Sequence, residues 1–236
     1  TALVVSYAVS RIMKIDHDIA TLVGVGSSIC GGSAIAAAAP VIKASDEDIA
    51  QSISVIFLFN VIAAFLFPTL GAILGFNDMG FGMWAGTAIN DTSSVVAAGQ
   101  TWASASGSDT ALNYATIVKL TRTLAIIPIC LGLAYLTSKR KATTSEVKIS
   151  SIFPMFIIYF LGASIINTFA GSHFDFFQFL PVIGKFMIAM AMAAIGLNTN
   201  LVKLIKTGGK PILLGLICWF CIAVVSLAMQ HLLNIW

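Results

Sequence analysis

Three charged residues lie inside apolar stretches of the sequence, where charge is rare. Asp91 lies near the centre of one stretch, and Lys119 and Arg122 lie within another, residues 112–137. At a helical rise of about 1.5 Å per residue, Arg122 would lie about 15 Å into its span, near the middle of a bilayer. The spacing of the two bases puts both on one helix face. Because two cations exceed one carboxylate, the trio predicts an anion-binding site; an intramembrane ion pair between Asp91 and one base is the alternative.

The composition as a whole is that of an integral membrane protein. Of 236 residues, 58% are hydrophobic and only 10% are charged, and the mean hydropathy is +0.95. A soluble domain carries about 45–50% apolar and about 25% charged residues. Disordered chains, disulfide-rich secreted modules and nucleic-acid binders are therefore excluded as the main class. The sequence opens at Thr1 inside an apolar run, and we expect it to begin partway through a larger protein.

Long apolar runs predict the membrane-spanning helices. One partial and seven further segments are expected at residues 1–12, 19–42, 50–76, 82–103, 112–137, 151–170, 180–198 and 211–234. The runs are continuous rather than alternating, so the predicted fold class is an all-α integral membrane protein, a multi-span helical transporter bundle, and not a β-barrel. We expect a single membrane domain over residues 1–236, with a core at 19–137 and the remaining spans at 151–236.

The basic residues of the loops predict the orientation. Loops rich in Lys and Arg face the cytoplasm. The residues expected there are Arg11 and Lys14, then Lys139, Arg140, Lys141 and Lys148, and finally Lys203, Lys206 and Lys210. The loops around Asp109 and Asp175 and the Trp236 end are expected on the outside.

Two apolar segments differ from the others because Gly and hydroxyl residues occupy their centres. They are Gly24–Pro40 and Gly86–Gly99. Glycine weakens a helix by about 1 kcal/mol per position, and Ser and Thr can bond freed backbone groups. This composition predicts two discontinuous helices, broken or re-entrant, whose free N–H ends face a cavity opposite the two bases. Close helix packing through small residues is the alternative interpretation.

An offset of 60 residues relates these two segments. Gly26 corresponds to Gly86, and Ser33 corresponds to Ser93. The repeat would be parallel if both segments cross the membrane and inverted if both re-enter. Paired interrupted segments of this kind indicate a transporter binding site.

The candidate substrate-binding residues combine both segments with the intramembrane charges. Backbone N–H groups and hydroxyls would bind the substrate, the two bases would supply charge, and Asp91 would tune them or bind a coupling cation. The residues are Gly26, Ser27, Ser28, Gly31, Gly32, Ser33, Gly86, Thr87, Asn90, Asp91, Thr92, Ser93, Ser94, Lys119 and Arg122, with Asn198 and Thr199 on the opposite wall. No cofactor is expected beyond a coupling ion, Na⁺ or H⁺. The expected partners are the lipid bilayer, a small anion and a second copy in a homodimer, and no nucleic acid.

Several motifs resemble the YeiH-type sulfate exporter family. They are Gly26–Ala37, Ala39–Ala44, Gly86–Asp91, Val96–Gly99, Lys119–Arg122, Ala189–Thr199 and Gly208–Pro211. The resemblance implies a bacterial inner-membrane protein of about ten spans, related to the bile acid/sodium symporter and cation/proton antiporter superfamily, in which broken helices cross near the substrate site. Many relatives have His-Glu where this chain has Asn90-Asp91, which argues against a proton relay by this pair.

The function expected from these observations is secondary transport, the export or exchange of a small anion such as sulfate or a sulfonate. A Na⁺/H⁺-coupled cation antiporter centred on Asp91 is one alternative. A non-transporting membrane scaffold or receptor, in which the Gly-rich segments only pack helices, is another. We expect no enzymatic activity, because no hydrolase, metalloprotease or nucleotide-binding motif is present.

Overall fold

A computed structural model of the chain describes residues 1–140 and 209–236, together with isolated helical positions between residues 159 and 190. Its longer helices are α1 (Ala2–Met13), α2 (His17–Ser28), α3 (Gly32–Ile42), α4 (Asp46–Ile73), α5 (Asp78–Ala88), α6 (Thr92–Ser106), α7 (Thr110–Thr123), α8 (Ile126–Arg140) and α9 (Gly209–Leu232). Three of the described stretches are long and apolar enough to cross a membrane, namely Asp46–Ile73, Thr110–Thr137 and Gly209–Leu232. The all-α membrane fold class is confirmed.

Polar residues between the apolar runs set the helix ends. Asp16, Ser45 and Asn77 each accept a hydrogen bond from a backbone N–H of the helical turn that follows. Such N-caps satisfy donors that have no partner within the helix. At the other end of α6, Gly107 takes the left-handed conformation that ends many helices. The apolar helices therefore begin and end where the sequence supplies short polar side chains or glycine.

The first Gly/Ser-rich segment folds back on itself. A Cβ added at Gly26 in α2 would lie 2.9 Å from Cδ1 of Ile35 in α3. The two ends of the segment, His17 and Ile42, line one cavity of about 310 Å³. Helices α2 and α3 are thus antiparallel, and we call His17–Ile42 the first hairpin.

The second segment folds back in the same way. Nε1 of Trp102 in α6 donates to Oδ1 of Asp78 in α5 at 2.8 Å, and the Trp102 ring stacks on Phe81 with centroids 4.1 Å apart. One continuous helix would separate Asp78 and Trp102 by about 36 Å. Helices α5 and α6 therefore form a second hairpin, Asp78–Ser106.

Each hairpin turns over three residues that belong to no helix. The tip of the first hairpin is Ile29–Gly31, and that of the second is Ile89–Asp91. Gly31 has φ 71° and ψ −126°, a combination that side-chain-bearing residues avoid. The glycine content of the first segment thus serves a sharp reversal.

The two hairpins approach from opposite ends of the long stretch Thr110–Thr137, formed by α7 and α8. A Cβ at Gly82, near the base of the second hairpin, would lie 2.9 Å from the carbonyl oxygen of Ala111. At the other end, Thr137 lines the same cavity as Ile42 of the first hairpin. The 60-residue repeat is therefore inverted. This differs from the interrupted, crossing helices implied by the family resemblance, because each Gly/Ser-rich segment reverses direction at its tip instead of continuing.

Helices α1, α4 and α9 pack around this centre through small residues. A Cβ at Gly215 in α9 would overlap Cγ1 of Val55 in α4, so this approach depends on glycine. In α1, Oγ of Ser6 donates to the carbonyl of Ala20 in the first hairpin at 2.5 Å. These helices hold the hairpins against the long stretch.

The sequence placed α4, α7 and α9 within a few residues of their observed starts. The division into a core at 19–137 and later spans stays a prediction. The predictions that lie largely or wholly outside the described residues are the spans at 151–170 and 180–198, the basic residues 141–148 and 203–206, and the site residues Asn198 and Thr199.

Candidate functional site

Lys119 joins the tips of the two hairpins. Its side chain is fully buried in α7, with 0% exposed. The ammonium Nζ donates to the carbonyl of Ile29 at 2.5 Å and to the carbonyl of Ile89 at 3.1 Å. These two isoleucines are equivalent positions of the repeat. A single cation thus binds the same carbonyl in both hairpins.

Arg122, one turn further along α7, binds the same two helix ends. Nε donates to the carbonyl of Ser28 at 2.7 Å, and Nη2 donates to that of Ser27 at 2.6 Å. Nη1 donates to the carbonyl of Thr87 in the second hairpin. A guanidinium has five N–H groups, so these three bonds leave two N–H groups that can donate to another acceptor.

Both bases therefore lie at the carboxyl-terminal ends of α2 and α5. Such an end carries unpaired carbonyls and about half a negative charge, which a cation stabilises. The sequence interpretation placed Lys119 and Arg122 opposite the amino-terminal helix ends, and the structure places them at the carbonyl ends. The difference arises because an interruption exposes the carbonyls of the first helix as well as the N–H groups of the second, and the side chains of α7 reach the carbonyls.

Asp91 caps the second helix of its own hairpin. Its Oδ2 accepts hydrogen bonds from the backbone N–H of Ser93 at 3.0 Å and from the Ser93 hydroxyl. Within residues 1–140 and 209–236, no ion pair links this carboxylate to Lys119 or Arg122. The intramembrane ion pair considered from the sequence is thus not formed there.

Asn60, in the middle of α4, is a site residue that the sequence analysis missed. It is only 1% exposed, and its Oδ1 accepts the backbone N–H groups of Asn90 and Asp91, each at 3.1 Å. Its Nδ2 has no hydrogen-bond partner in the described part of the protein. That nitrogen lies 3.5 Å from the place where a Cβ of Gly31 would be. A buried amide within a long apolar helix was the signal that could have found it.

The amino-terminal end of α3 has no side-chain cap. Its N-cap residue is Gly31, and the next hydroxyl, that of Ser33, is exposed. Nearby, the Asn90 side chain is 1% exposed, and neither its Nδ2 nor its Oδ1 has a partner among the residues described. Polar groups without a partner among the described residues thus lie on both sides of the tips, the amides of Asn60 and Asn90 near the amino ends and the buried Ser27 hydroxyl at the carbonyl end of α2.

A cavity of about 330 Å³ reaches Arg122 from the side of α9. Ser28 and Thr87 line it from the two hairpins, and Ser226 and Gln230 line it from α9. The hydroxyls of Thr87 and Ser226 are 2.5 Å apart. Ser226 and Gln230 were not predicted; their spacing of four on an otherwise apolar helix was the signal.

Most of the predicted site residues lie at the two tips or in the adjoining helical turns. The members at the tips and the carbonyl ends are Ser27, Ser28, Gly31, Thr87, Asn90, Asp91, Lys119 and Arg122; those in the first turns of α3 and α6 are Gly32, Ser33, Thr92, Ser93 and Ser94. Gly26 and Gly86 instead lie at helix contacts. A Cβ at Gly86 would lie 2.7 Å from the Ala115 carbonyl oxygen.

The comparisons with known proteins place the chain in one family. The family model described as conserved hypothetical protein 698 matches residues 1–215. A UPF0324 membrane protein of Streptococcus pyogenes serotype M3 is 57% identical over 242 residues, which cover all of this chain and 71% of that protein. UPF0324 membrane proteins of Streptococcus agalactiae serotype V and Fusobacterium nucleatum are 54% and 53% identical, again over the whole chain and 71% and 72% of their own lengths.

No solved structure matches the chain. The relatives are bacterial and are named membrane proteins, and three described stretches of this chain are able to span a bilayer. The chain is therefore a bacterial multi-pass membrane protein, and it belongs to the UPF0324 family of conserved hypothetical protein 698.

Proposed function

We propose that this protein is a secondary transporter for a small anion, with sulfate or a sulfonate as the leading substrate. The observation that carries the proposal is the meeting of two oppositely directed hairpins at Lys119 and Arg122. Paired interrupted helices that meet near mid-membrane form the substrate sites of many secondary transporters. The resemblance to sulfate exporters supports the same function.

The charges at the tips favour an anion over a cation. Lys119 and Arg122 contribute two positive charges, and Asp91 contributes one negative charge. The carbonyl ends of α2 and α5 carry about half a negative charge each, and the amino ends of α3 and α6 carry about half a positive charge each, so these four cancel. One positive charge remains. An uncompensated charge at membrane depth costs roughly 2.5–3.5 kcal/mol. In a scaffold that only packs helices, nothing would offset this cost.

The cavity beside Arg122 supplies an approach to this charge. Its wall combines the guanidinium with hydroxyls from both hairpins and from Ser226 of α9. A sulfate or sulfonate group has several oxygens that can accept from the remaining N–H groups of one guanidinium. We propose that the anion reaches the tips by this route.

Exchange of radiolabelled sulfate and methanesulfonate by the intact chain in proteoliposomes tests the function. We expect the wild type to exchange at least one of the two anions. Arg122→Lys keeps the charge but cannot reproduce the fork that binds three carbonyls, and we expect exchange to fall by about tenfold or more.

Arg11→Lys is the matched control, since Arg11 is exposed, its Nη2 donates to the hydroxyl of Tyr7 at 2.6 Å, and its guanidinium lies over the ring of the same residue. We expect this variant to exchange like the wild type. A wild type that moves neither anion would contradict the proposed function. Equal exchange by Arg122→Lys and Arg11→Lys would contradict the part assigned to Arg122.

A further inference from the structure

The inverted repeat shows one position at which the two hairpins differ in charge. The offset of 60 residues that aligns Ser33 with Ser93 also aligns Gly31 with Asp91. In α6 the Asp91 carboxylate accepts from the backbone and hydroxyl of Ser93. In α3 the equivalent N-cap residue is Gly31, which has no side chain to do this. The second hairpin thus carries its own anion at the amino end of its second helix, and the first does not.

A second observation points to a ligand at this uncapped end. The orientation of the Asn60 amide is fixed because its Oδ1 accepts from two backbone N–H groups of the second hairpin. Its Nδ2 therefore faces the other way, toward Gly31, at 3.5 Å from the place of the missing Cβ. This N–H donor is 1% exposed and has no partner in the described ranges. A buried donor without an acceptor is costly, and a ligand oxygen would satisfy it.

We propose that the amino end of α3 is an oxyanion site, in which a sulfate or sulfonate oxygen takes the place that the Asp91 carboxylate takes in α6. Asn60 Nδ2, the first-turn N–H groups of α3 and the Ser33 hydroxyl donate to the anion. First-turn N–H groups have no partner within their own helix, and the positive end of the helix dipole favours an anion. The inference rests on the proposed anion transport and assigns its binding residues.

The nearby Asp91 carboxylate does not exclude an anion at this place. Cβ of Asp91 also lies 3.5 Å from the missing Cβ of Gly31, but the carboxylate itself is bonded to Ser93. The Lys119 ammonium donates to a carbonyl of each tip, so a positive charge is present where the two tips meet. A bound sulfonate, which is a monoanion, would balance the single positive charge that remains at the tips, and a sulfate dianion would exceed it by one charge.

Binding of anions to the purified intact chain tests the proposal. The measurement is the shift in melting temperature produced by sodium sulfate or sodium methanesulfonate. Sodium chloride is the control for ionic strength. Ser33→Ala removes one exposed hydroxyl, and we expect anion affinity to fall by about three- to tenfold. Asn60→Asp keeps an oxygen for the two backbone N–H groups but removes the donor and adds a negative charge, and we expect a loss of about tenfold or more.

Ser104→Ala is the matched control, because Ser104 is exposed and its hydroxyl donates to the carbonyl of Gln100. Wild-type affinity in Ser33→Ala overturns the proposal, whether or not Asn60→Asp folds. If that variant binds normally while the wild type still exchanges sulfate in proteoliposomes, the oxyanion site is wrong and the transport function stands. If the wild type neither binds nor exchanges either anion, both proposals are wrong.

Discussion

The first hairpin, His17–Ile42, and the second hairpin, Asp78–Ser106, share two cations but begin their second helices differently. Lys119 bonds to the carbonyl of the equivalent isoleucine in each, and Arg122 bonds to carbonyls at the end of the first helix in each. At the amino ends the symmetry fails, since α6 begins with a carboxylate and α3 begins with glycine.

This difference separates the groups that hold the tips together from those able to bind a ligand. The carbonyl ends are neutralised by side chains of α7 that are part of the fold. The amino end of α6 is capped by Asp91, whose own N–H donates to Asn60, and the amino end of α3 has no side-chain cap. Substitution of Lys119 should therefore act mainly on stability, and substitutions on the amino side mainly on binding. Arg122 takes part in both, because it donates to three carbonyls and has two N–H groups left for an anion.

The largest effect on stability is expected for Lys119→Met. The substitution keeps most of the side-chain volume but leaves the carbonyls of Ile29 and Ile89 without the charged donor that joins them. Each buried acceptor that loses its partner costs about 1–3 kcal/mol, so we expect the free energy of unfolding to fall by about 2–4 kcal/mol after the gain from burying an apolar chain. Thermal unfolding of the detergent-solubilised protein, followed by size-exclusion chromatography, measures the change.

Lys210→Met is the control for this substitution, since Lys210 is exposed at the start of α9. It should melt like the wild type. If Lys119→Met and the control have the same melting temperature, Lys119 does not hold the two tips together. The claim that both hairpins share a stabilising cation is then wrong.

The sequence was sufficient for the fold class and for the location of the unusual segments. Few charges in a long apolar chain require a membrane protein, and runs of Gly and Ser within apolar segments locate Ile29–Gly31 and Ile89–Asp91 to within a few residues. These are local properties of composition. The two bases were also identified from composition, because a charge at membrane depth must have a structural or functional reason.

The reversal of each segment could not be predicted in this way. It depends on contacts between distant residues, such as Trp102 with Asp78, that no local pattern specifies. The sequence also does not specify which of the two exposed helix ends faces α7, and so the bases were expected opposite the wrong ends. An amide in the apolar helix α4 marks Asn60 as unusual, but the role of its side chain becomes clear only when its two backbone partners are known.

The equivalent glycines Gly26 and Gly86 sharpen the comparison at the level of packing. A Cβ at Gly86 would lie 2.7 Å from the backbone oxygen of Ala115, which cannot move without displacing α7. A Cβ at Gly26 would meet side-chain atoms only, Cδ1 of Ile35 at 2.9 Å and Cγ1 of Ile56 at 3.1 Å, and side chains shift at a lower cost than backbone. We expect Gly86→Ala to lower the free energy of unfolding by about 1–3 kcal/mol and Gly26→Ala by less.

Thermal unfolding of the two variants measures this order, with Gly132→Ala in α8 as the reference. A Cβ at Gly132 meets nothing within 4 Å, so the gain in helix propensity should stabilise this variant by about 0.5–1 kcal/mol. A greater loss for Gly26→Ala than for Gly86→Ala would show that the first hairpin packs more tightly than the second.

The smallest effect on stability is expected for Asp91→Asn, which also separates anion transport from the cation antiporter. Asn is as good an N-cap as Asp, and its oxygen can still accept from Ser93, so we expect stability to change by less than about 0.5 kcal/mol. Loss of one negative charge beside the amino end of α3 should raise sulfate affinity by at least about threefold, since like charges in a partly buried place repel by no less than the roughly 1 kcal/mol found at short range in water. Asp109→Asn, at an exposed N-cap without a side-chain capping bond, should leave the affinity unchanged.

A cation antiporter centred on Asp91 requires a different result. Na⁺- or H⁺-coupled exchange would be lost in Asp91→Asn and kept in Arg122→Lys. That result would assign the ligand to the second hairpin and leave the uncapped end of α3 without a function.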